Sequence, residues 1–358
     1  MKVVQILPEL NEGGVERGVV EITRELVKYG VISYVISGGG KLESELEKNG
    51  VTHIKCDVFS KNLLTFLPRV LKLRKILKEI APDIVHIRSR IPAWLIKFAK
   101  IGLKFKVVST VHGLNSPNFY SKIMTKSDKI ICVSNAVKEH IKRHFNADDS
   151  KISVIFRGVD LVNFNPLKLP SKEELRSKYS LKNELVISCV GRITQGKNIE
   201  TLLKSAVILK QKLSIKILIA GGVHPKKKEY FQRLKALKDE LGLSDEVQFL
   251  GSVGDVAGVY KLSDVVVSAS LKPESFGRSV AEALALNTPV VASNHGGVKD
   301  IIKDGENGYF FDPLDADELA SKIVLASKLK FNGFDYISST FTLEKMTKQT
   351  YEIYRGLV

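Results

Sequence analysis

Short runs of Val, Ile and Leu recur along this chain, each followed by a longer stretch in which apolar residues return every three or four positions. The short runs show little polar alternation, so they predict strands buried on both faces. They fall at residues 2–7, 33–37, 84–87, 107–110, 129–133 and 152–155, then again at 185–190, 215–220, 247–250, 265–268, 290–292 and 308–311. The longer stretches, such as 15–28 and 225–241, predict helices. Strand and helix alternating in this way imply parallel sheets covered on both sides. The pattern breaks between 157 and 184, where Asn165-Pro166 and Leu169-Pro170 interrupt the chain and 172–179 predicts a short charged helix. The expected fold is therefore α/β, with two doubly wound domains facing a cleft, residues 1–160 and 161–342. Residues 343–358 predict a helix beyond the second sheet, expected to cross back to the first domain.

A length of 358 residues with 44% hydrophobic content supplies two buried cores. No apolar run reaches the roughly 18–20 residues of a membrane span. The first residues read as a strand rather than a signal peptide, so a cytoplasmic protein is expected. Cys56, Cys132 and Cys189 are far apart in apolar surroundings, which predicts buried, reduced thiols rather than disulfides or a zinc site.

Charge changes the picture. The formal net charge is +16, and residues 61–106 alone hold 12 Lys/Arg against 2 Asp/Glu. Residues 61–82 predict a basic amphipathic helix, with Leu67, Val70, Leu71, Leu73, Ile76, Leu77 and Ile80 on an apolar side. Arg69, Lys72, Arg74, Lys75 and Lys78 are then available to anionic headgroups, each worth up to about 1 kcal/mol near a charged bilayer. A core-packed helix with a solvated basic face is the competing reading. The patch lacks aromatic interleaving along the sequence, so nucleic acid is not an expected partner.

The candidate chemistry centres on Glu274 and Glu282. Two carboxylates could cleave a glycosidic bond if about 5–5.5 Å apart, but eight residues of helix span about 12 Å. Separate roles as hydroxyl acceptors fit better, Glu274 on a sugar ring and Glu282 on a ribose diol. Between them the backbone N–H groups of Phe276 and Gly277, at a helix start, can hold a phosphate oxygen. Arg192 and Lys197, on a glycine-containing turn after the strand 185–190, can converge on a diphosphate. Gly13-Gly14, ahead of a helix, permits close approach of a phosphate or acceptor. His112 ends the strand 107–111 and can meet a ligand there, and His86 is a weaker candidate of the same kind. Asp315-Ala316-Asp317 is expected to cap a helix rather than bind metal. His140 and His144 are expected to be exposed, and Gly38-Gly39-Gly40 to form a flexible loop.

Taken in order, Gly13-Gly14-Val15-Glu16-Arg17, His112-Gly113, Val133-Ser134, Gly158-Val159-Asp160, Gly191-Arg192 with Lys197, Glu274 with Glu282, and Asn307-Gly308 resemble family 4 of the retaining glycosyltransferases. The resemblance spans nearly the whole chain and implies the GT-B fold, two Rossmann-like domains, the first for the acceptor and the second for a nucleotide sugar. It implies that Glu274 contacts the transferred sugar and Glu282 the ribose. Arg192 and Lys197 would neutralise the diphosphate, Gly14 would approach it, and His112 would sit beside the reacting sugar. No metal and no cofactor are expected, and the donor is expected to be a UDP-sugar. The departures are Asn198 after Lys197, Arg157 before Gly158, and a segment with Arg88 and Arg90 but no second histidine, which could touch an anionic acceptor. With the basic patch, the expectation is a peripheral enzyme on the cytosolic face of the inner membrane, building a lipid-linked or surface glycan such as lipopolysaccharide core or capsule. The alternative is a sugar-nucleotide epimerase or phosphorylase on the same fold, which would turn over without a glycan acceptor.

Overall fold

The computed structural model describes residues 1–11 and 13–358, with the side chain of Lys226 outside the description. The chain divides into two compact units, residues 1–158 with 343–358, and residues 159–342.

The first unit is built on seven parallel strands, β1 (Lys2–Ile6), β2 (Ile32–Ser37), β3 (Thr52–Lys55), β4 (Ile84–Ile87), β5 (Lys106–Val111), β6 (Lys129–Cys132) and β7 (Ile152–Val154), in the order β3-β2-β1-β4-β5-β6-β7. Val3, Val4, Ile84 and Val85 are fully buried because helices cover both faces. The order reverses between β1 and β4, and in open α/β sheets ligands bind beyond the carboxyl ends of the strands at such a point. Strand β3 was not expected from the pattern. It is an edge strand with no fully buried residue, and His53 and Lys55 interrupt its apolar positions.

The C-terminal helix Leu343–Arg355 belongs to this unit, as expected. It packs on helix Gly14–Lys28, with the rings of Tyr29 and Tyr351 5.0 Å apart. Tyr354 is fully buried and its hydroxyl bonds His86 Nδ1. Burying a ring of this size contributes on the order of 2 kcal/mol, and the satisfied hydroxyl keeps that gain from being cancelled.

The second unit has six parallel strands, β8 (Leu185–Val190), β9 (Ile215–Ala220), β10 (Val247–Gly251), β11 (Val265–Ser268), β12 (Val290–Ser293) and β13 (Gly308–Phe311), in the order β10-β9-β8-β11-β12-β13. Here the reversal lies between β8 and β11. Helix Lys172–Lys178 starts in a capping box made by Ser171 and Glu174. Its Lys172 and Arg176 both reach Asp264, which also accepts the Val186 N–H at 2.8 Å, fixing the helix to the sheet.

Several local expectations are corrected. Gly38-Gly39-Gly40 is a packed turn: a side chain at Gly40 would fall 2.4 Å from the Leu10 carbonyl carbon, and Leu42 N–H donates to Leu10 O at 2.9 Å. His140 is half-buried and bonds the Asn115 carbonyl at 2.8 Å, while His144 is exposed. Helix Phe66–Ile80 packs Val70, Leu73, Leu77 and Ile80 inward and leaves Leu67 and Leu71 outside. Arg69 is buried, donating to the carbonyls of Ser60, Asn62 and Thr65, and Arg74 donates to those of Ala99 and Ile101. Those two cations are therefore taken by the fold. Asp315 caps helix Ala316–Ala326 by accepting the Glu318 N–H. The three cysteines are buried and free; burial pushes Cys132 up to about 12 and Cys189 up to about 11, so both remain thiols.

Candidate functional site

In the second unit the loops leaving β8 and β11 meet at the reversal of strand order, where ligands of open α/β sheets bind. The Leu271 N–H donates to Gly196 O at 2.9 Å, which ties the two loops by their backbones. Their side chains are tied as well. Lys197 Nζ donates to Glu274 Oε1 at 2.6 Å, and Ser270 Oγ donates to the same oxygen at 2.6 Å. Burial pushes the Glu274 carboxyl up, but the Lys197 charge and these hydrogen bonds outweigh it, holding the group below the usual carboxylate range. Glu274 is thus ionised and fixed at neutral pH. Lys197, expected to share a diphosphate with Arg192, is paired with Glu274 in this structure, and Arg192 stands exposed on the same loop.

Glu282 lies on helix Arg278–Ala285, away from that cluster in its bonding. Its Oε1 accepts from Arg278 Nε at 3.2 Å, and Oε2 accepts from the buried Tyr260 hydroxyl at 3.3 Å. The two carboxylates therefore have separate partners, consistent with separate roles. Phe276 buries its ring against Phe341, with centres 5.9 Å apart, which anchors the loop just before the helix. Gly277 precedes the helix with φ +107°.

The Glu274 loop is held from behind by Gly296 and Gly297. Glu274 and Gly296 form a parallel bridge, and the Gly297 N–H donates to Glu274 O at 2.7 Å. A side chain at Gly296 would fall 2.5 Å from Glu274 O and 2.7 Å from Glu274 N. The neighbouring His295 was not singled out from the sequence. Both of its ring nitrogens are buried with no hydrogen-bond partner among the described residues, and its ring adds to the lowering at Glu274. Ser270, Tyr260 and Arg278 were also missed, because only the folded loops reveal which side chains meet.

In the first unit His112 follows β5 and meets Arg157. Arg157 donates to His112 Nδ1 at 3.1 Å and also to the Gly14 carbonyl. A guanidinium only donates, so Nδ1 accepts and the proton of the neutral ring is on Nε2. Nε2 is buried and has no partner among the described residues. It belongs to a small cavity lined by Arg88, Thr110, His112 and Arg157 together with Met346 and Thr350 of the C-terminal helix. Arg88 is buried, donating to Gln5 Oε1 at 2.9 Å and Thr110 Oγ1 at 3.1 Å. Burial pushes its pKa down to about 10, so it keeps its charge. His86 is fully buried between Tyr354 and Thr110, a structural histidine. Arg90 bonds Ser121 at 3.2 Å. Arg157, read from the sequence as a departure, is thus the residue that orients His112 and joins it to Gly14.

Burial holds His86 and His112 well below the ordinary histidine range, with Arg88 adding to both and Arg157 to His112. Below about pH 6.5 the unfolded chain binds protons at both rings and the folded chain does not. Their contribution is complete above that pH and is lost as pH falls toward the folded-state values, at up to about 1.4 kcal/mol per pH unit for each ring. Urea unfolding at pH 7.5 and 5.5 is expected to give a smaller loss in His112→Gln than in the wild type. Equal losses would mean that His112 does not titrate in this way.

Residues 12–163 match the family model described as Glycosyltransferase Family 4, and residues 171–332 match the one described as Glycosyl transferases group 1. A glycosyltransferase of Rickettsia africae is 32% identical, with a TM-score of 0.90 over 99% of this chain and 98% of its own. Anabaena HepE, solved in complex with UDP and glucose, has a TM-score of 0.87 at 21% identity over 99% of this chain and 100% of its own, a likeness of fold. A D-inositol 3-phosphate glycosyltransferase of Mycobacterium sp. strain KMS is 35% identical over 205 residues, 56% of this chain and 45% of that protein. The chain spans about half the length of the curated relatives it matches. The chain belongs to the group 1 glycosyltransferases, family 4, with their GT-B type of fold.

Proposed function

We propose that the protein is a retaining, metal-independent glycosyltransferase that moves a hexose or N-acetylhexosamine from a UDP-sugar to a lipid-linked or surface-glycan acceptor, as in lipopolysaccharide core or capsule. The observation that carries the reading is the joined pair of loops at β8 and β11, where Lys197 and Ser270 fix an ionised Glu274. Glu274 then accepts hydroxyls of the transferred sugar, and Glu282 accepts the ribose diol in exchange for Arg278. Arg192, Lys197 and the N–H groups of Phe276 and Gly277 take up the charge that develops on the departing diphosphate. The acceptor oxygen bonds to the anomeric carbon on the leaving-group face. The diphosphate departs with the bonding pair and receives the acceptor proton.

The UDP and glucose held by HepE support UDP as the nucleotide. Among the described residues no helix is long and apolar enough to cross a membrane. The exposed Lys72, Lys75 and Lys78 support peripheral docking on an anionic surface through residues 61–106.

A thermal-shift panel of UDP-, GDP- and ADP-sugars with EDTA present tests the donor reading. A ligand at 100 times its Kd stabilises by about 2.7 kcal/mol, so a UDP-sugar is expected to raise Tm clearly. A panel without any shift, or a shift that EDTA abolishes, overturns it. Formation of an isomer from the UDP-sugar without an acceptor would mean an epimerase.

A further inference from the structure

Beside helix Phe66–Ile80 the first unit carries a groove of about 480 Å³, lined by Phe66, Trp94, Phe98 and Tyr120 with Leu63 and Ile91. These aromatics come from three separate segments, which is why the sequence pattern did not show them as a cluster. The rings of Phe66 and Phe98 meet edge to face at 5.5 Å, and Trp94 stacks on Tyr120 at 6.5 Å. Cations stand over these rings. Lys97 Nζ is 4.9 Å from the Trp94 centroid, the Arg90 guanidinium is 5.4 Å from that of Tyr120, and Lys61 lines one edge. Among the described residues none that line the groove is acidic. An apolar, aromatic floor under a cationic rim fits an amphiphile, with hydrocarbon inside and an anion at the mouth.

The wall of this groove is fixed. The buried Arg69 guanidinium donates to the carbonyls of Ser60 at 2.7 Å, Asn62 at 2.9 Å and Thr65 at 3.1 Å, so the loop before the helix is clamped. The clamped loop turns Leu63 and Leu64 outward, 85% and 90% exposed. Leu67 and Leu71 continue the apolar edge along the helix, and the exposed Lys72, Lys75 and Lys78 follow it. A bilayer meets such a sequence of surfaces in order, hydrocarbon first and headgroups next.

We propose that the groove takes the hydrocarbon chain of a lipid phosphate, the anchored part of the acceptor, with its phosphate at Lys61, Arg90 and Lys97. This rests on the proposed lipid-linked acceptor and adds that the enzyme recognises the lipid as well as the sugar. The first unit then holds the tether while the exposed leucines sit in the membrane.

Trp94 is the chain's single tryptophan, so its emission reports on the groove directly. Titration of the full chain with dodecyl phosphate below its micelle concentration is expected to shift that emission to the blue and saturate. Inorganic phosphate is expected to leave it unchanged. Phe98→Ala, with an unchanged Tm, is expected to weaken the response about tenfold. A Lys61→Gln, Lys97→Gln double variant is expected to weaken dodecyl phosphate while leaving dodecanol unaffected. No shift with dodecyl phosphate, the same shift with phosphate alone, or full affinity in Phe98→Ala overturns the proposal. Pelleting with phosphatidylglycerol vesicles reads the membrane docking separately. Pelleting without a dodecyl phosphate response removes the groove assignment and keeps the docking; a response without pelleting does the reverse.

Discussion

Replacing Glu274 with Gln is expected to cut kcat/KM for sugar transfer by about 10²–10³-fold, with little change in Tm. The amide keeps the shape of the carboxyl, so Ser270 and the backbone bridge to Gly296 retain their contacts. What is lost is the charge that Lys197 balances at 2.6 Å and the capacity to accept two hydroxyls at once. Lys197 keeps 26% of its side-chain exposure and Glu274 28%, so a freed Lys197 can turn to solvent, and the stability cost stays small beside the loss of transfer. The loss therefore falls on catalysis and not on folding. Steady-state kinetics and a melting curve on the same preparation check this. Transfer within a few-fold of wild type would remove Glu274 from the sugar site.

The doubly wound architecture was legible because buried parallel strands are nearly continuous runs of Val, Ile and Leu. The stretches 185–190, 215–220 and 308–311 coincide with β8, β9 and β13. Strand β3 was not legible, since an edge strand with His53 and Lys55 carries little of that signal. Helix Phe66–Ile80 was legible as amphipathic, but periodicity cannot say which leucines a neighbouring element covers. The fold takes Leu73 and Leu77 and leaves Leu67 and Leu71, and it turns Arg69 into a clamp for its own loop.

The sequence order singled out Glu274, Glu282 and Lys197 in the second unit and His112 in the first, because each lies in a loop or helix that follows a strand. Their partners were hidden. Arg157 meets His112 from 45 positions away, and Lys197 meets Glu274 from 77. Such pairs depend on which strand ends the sheet order makes adjacent. A periodicity argument fixes the type of each element but not that order. His295 was hidden for another reason: nothing in its own neighbourhood marks it apart from the two glycines that follow.

Those glycines give the second large effect. Gly296→Ala is expected to abolish measurable transfer and to lower Tm. Gly296 has φ +79° and ψ −159°, a region open essentially to glycine, and forcing another residue there costs about 1–3 kcal/mol. The new Cβ would also lie 2.5 Å from Glu274 O, 2.7 Å from Glu274 N and 3.0 Å from the Pro273 carbonyl carbon. These are backbone atoms, so no rotamer relieves the contact, and the loop itself must move. Moving it breaks the Gly297–Glu274 hydrogen bond and carries Glu274 away from Lys197 and Ser270. For a unit of this size each kcal/mol lowers Tm by about 2–4 °C. Gly254→Ala is the control, since a Cβ there meets nothing within 4 Å, and it is expected to match wild type in both assays. The UDP-sugar thermal shift should vanish in Gly296→Ala and persist in Gly254→Ala. A Gly296→Ala protein with wild-type Tm and transfer would show that the loop tolerates the extra atom, and that the close approach at Glu274 is not what holds the donor site.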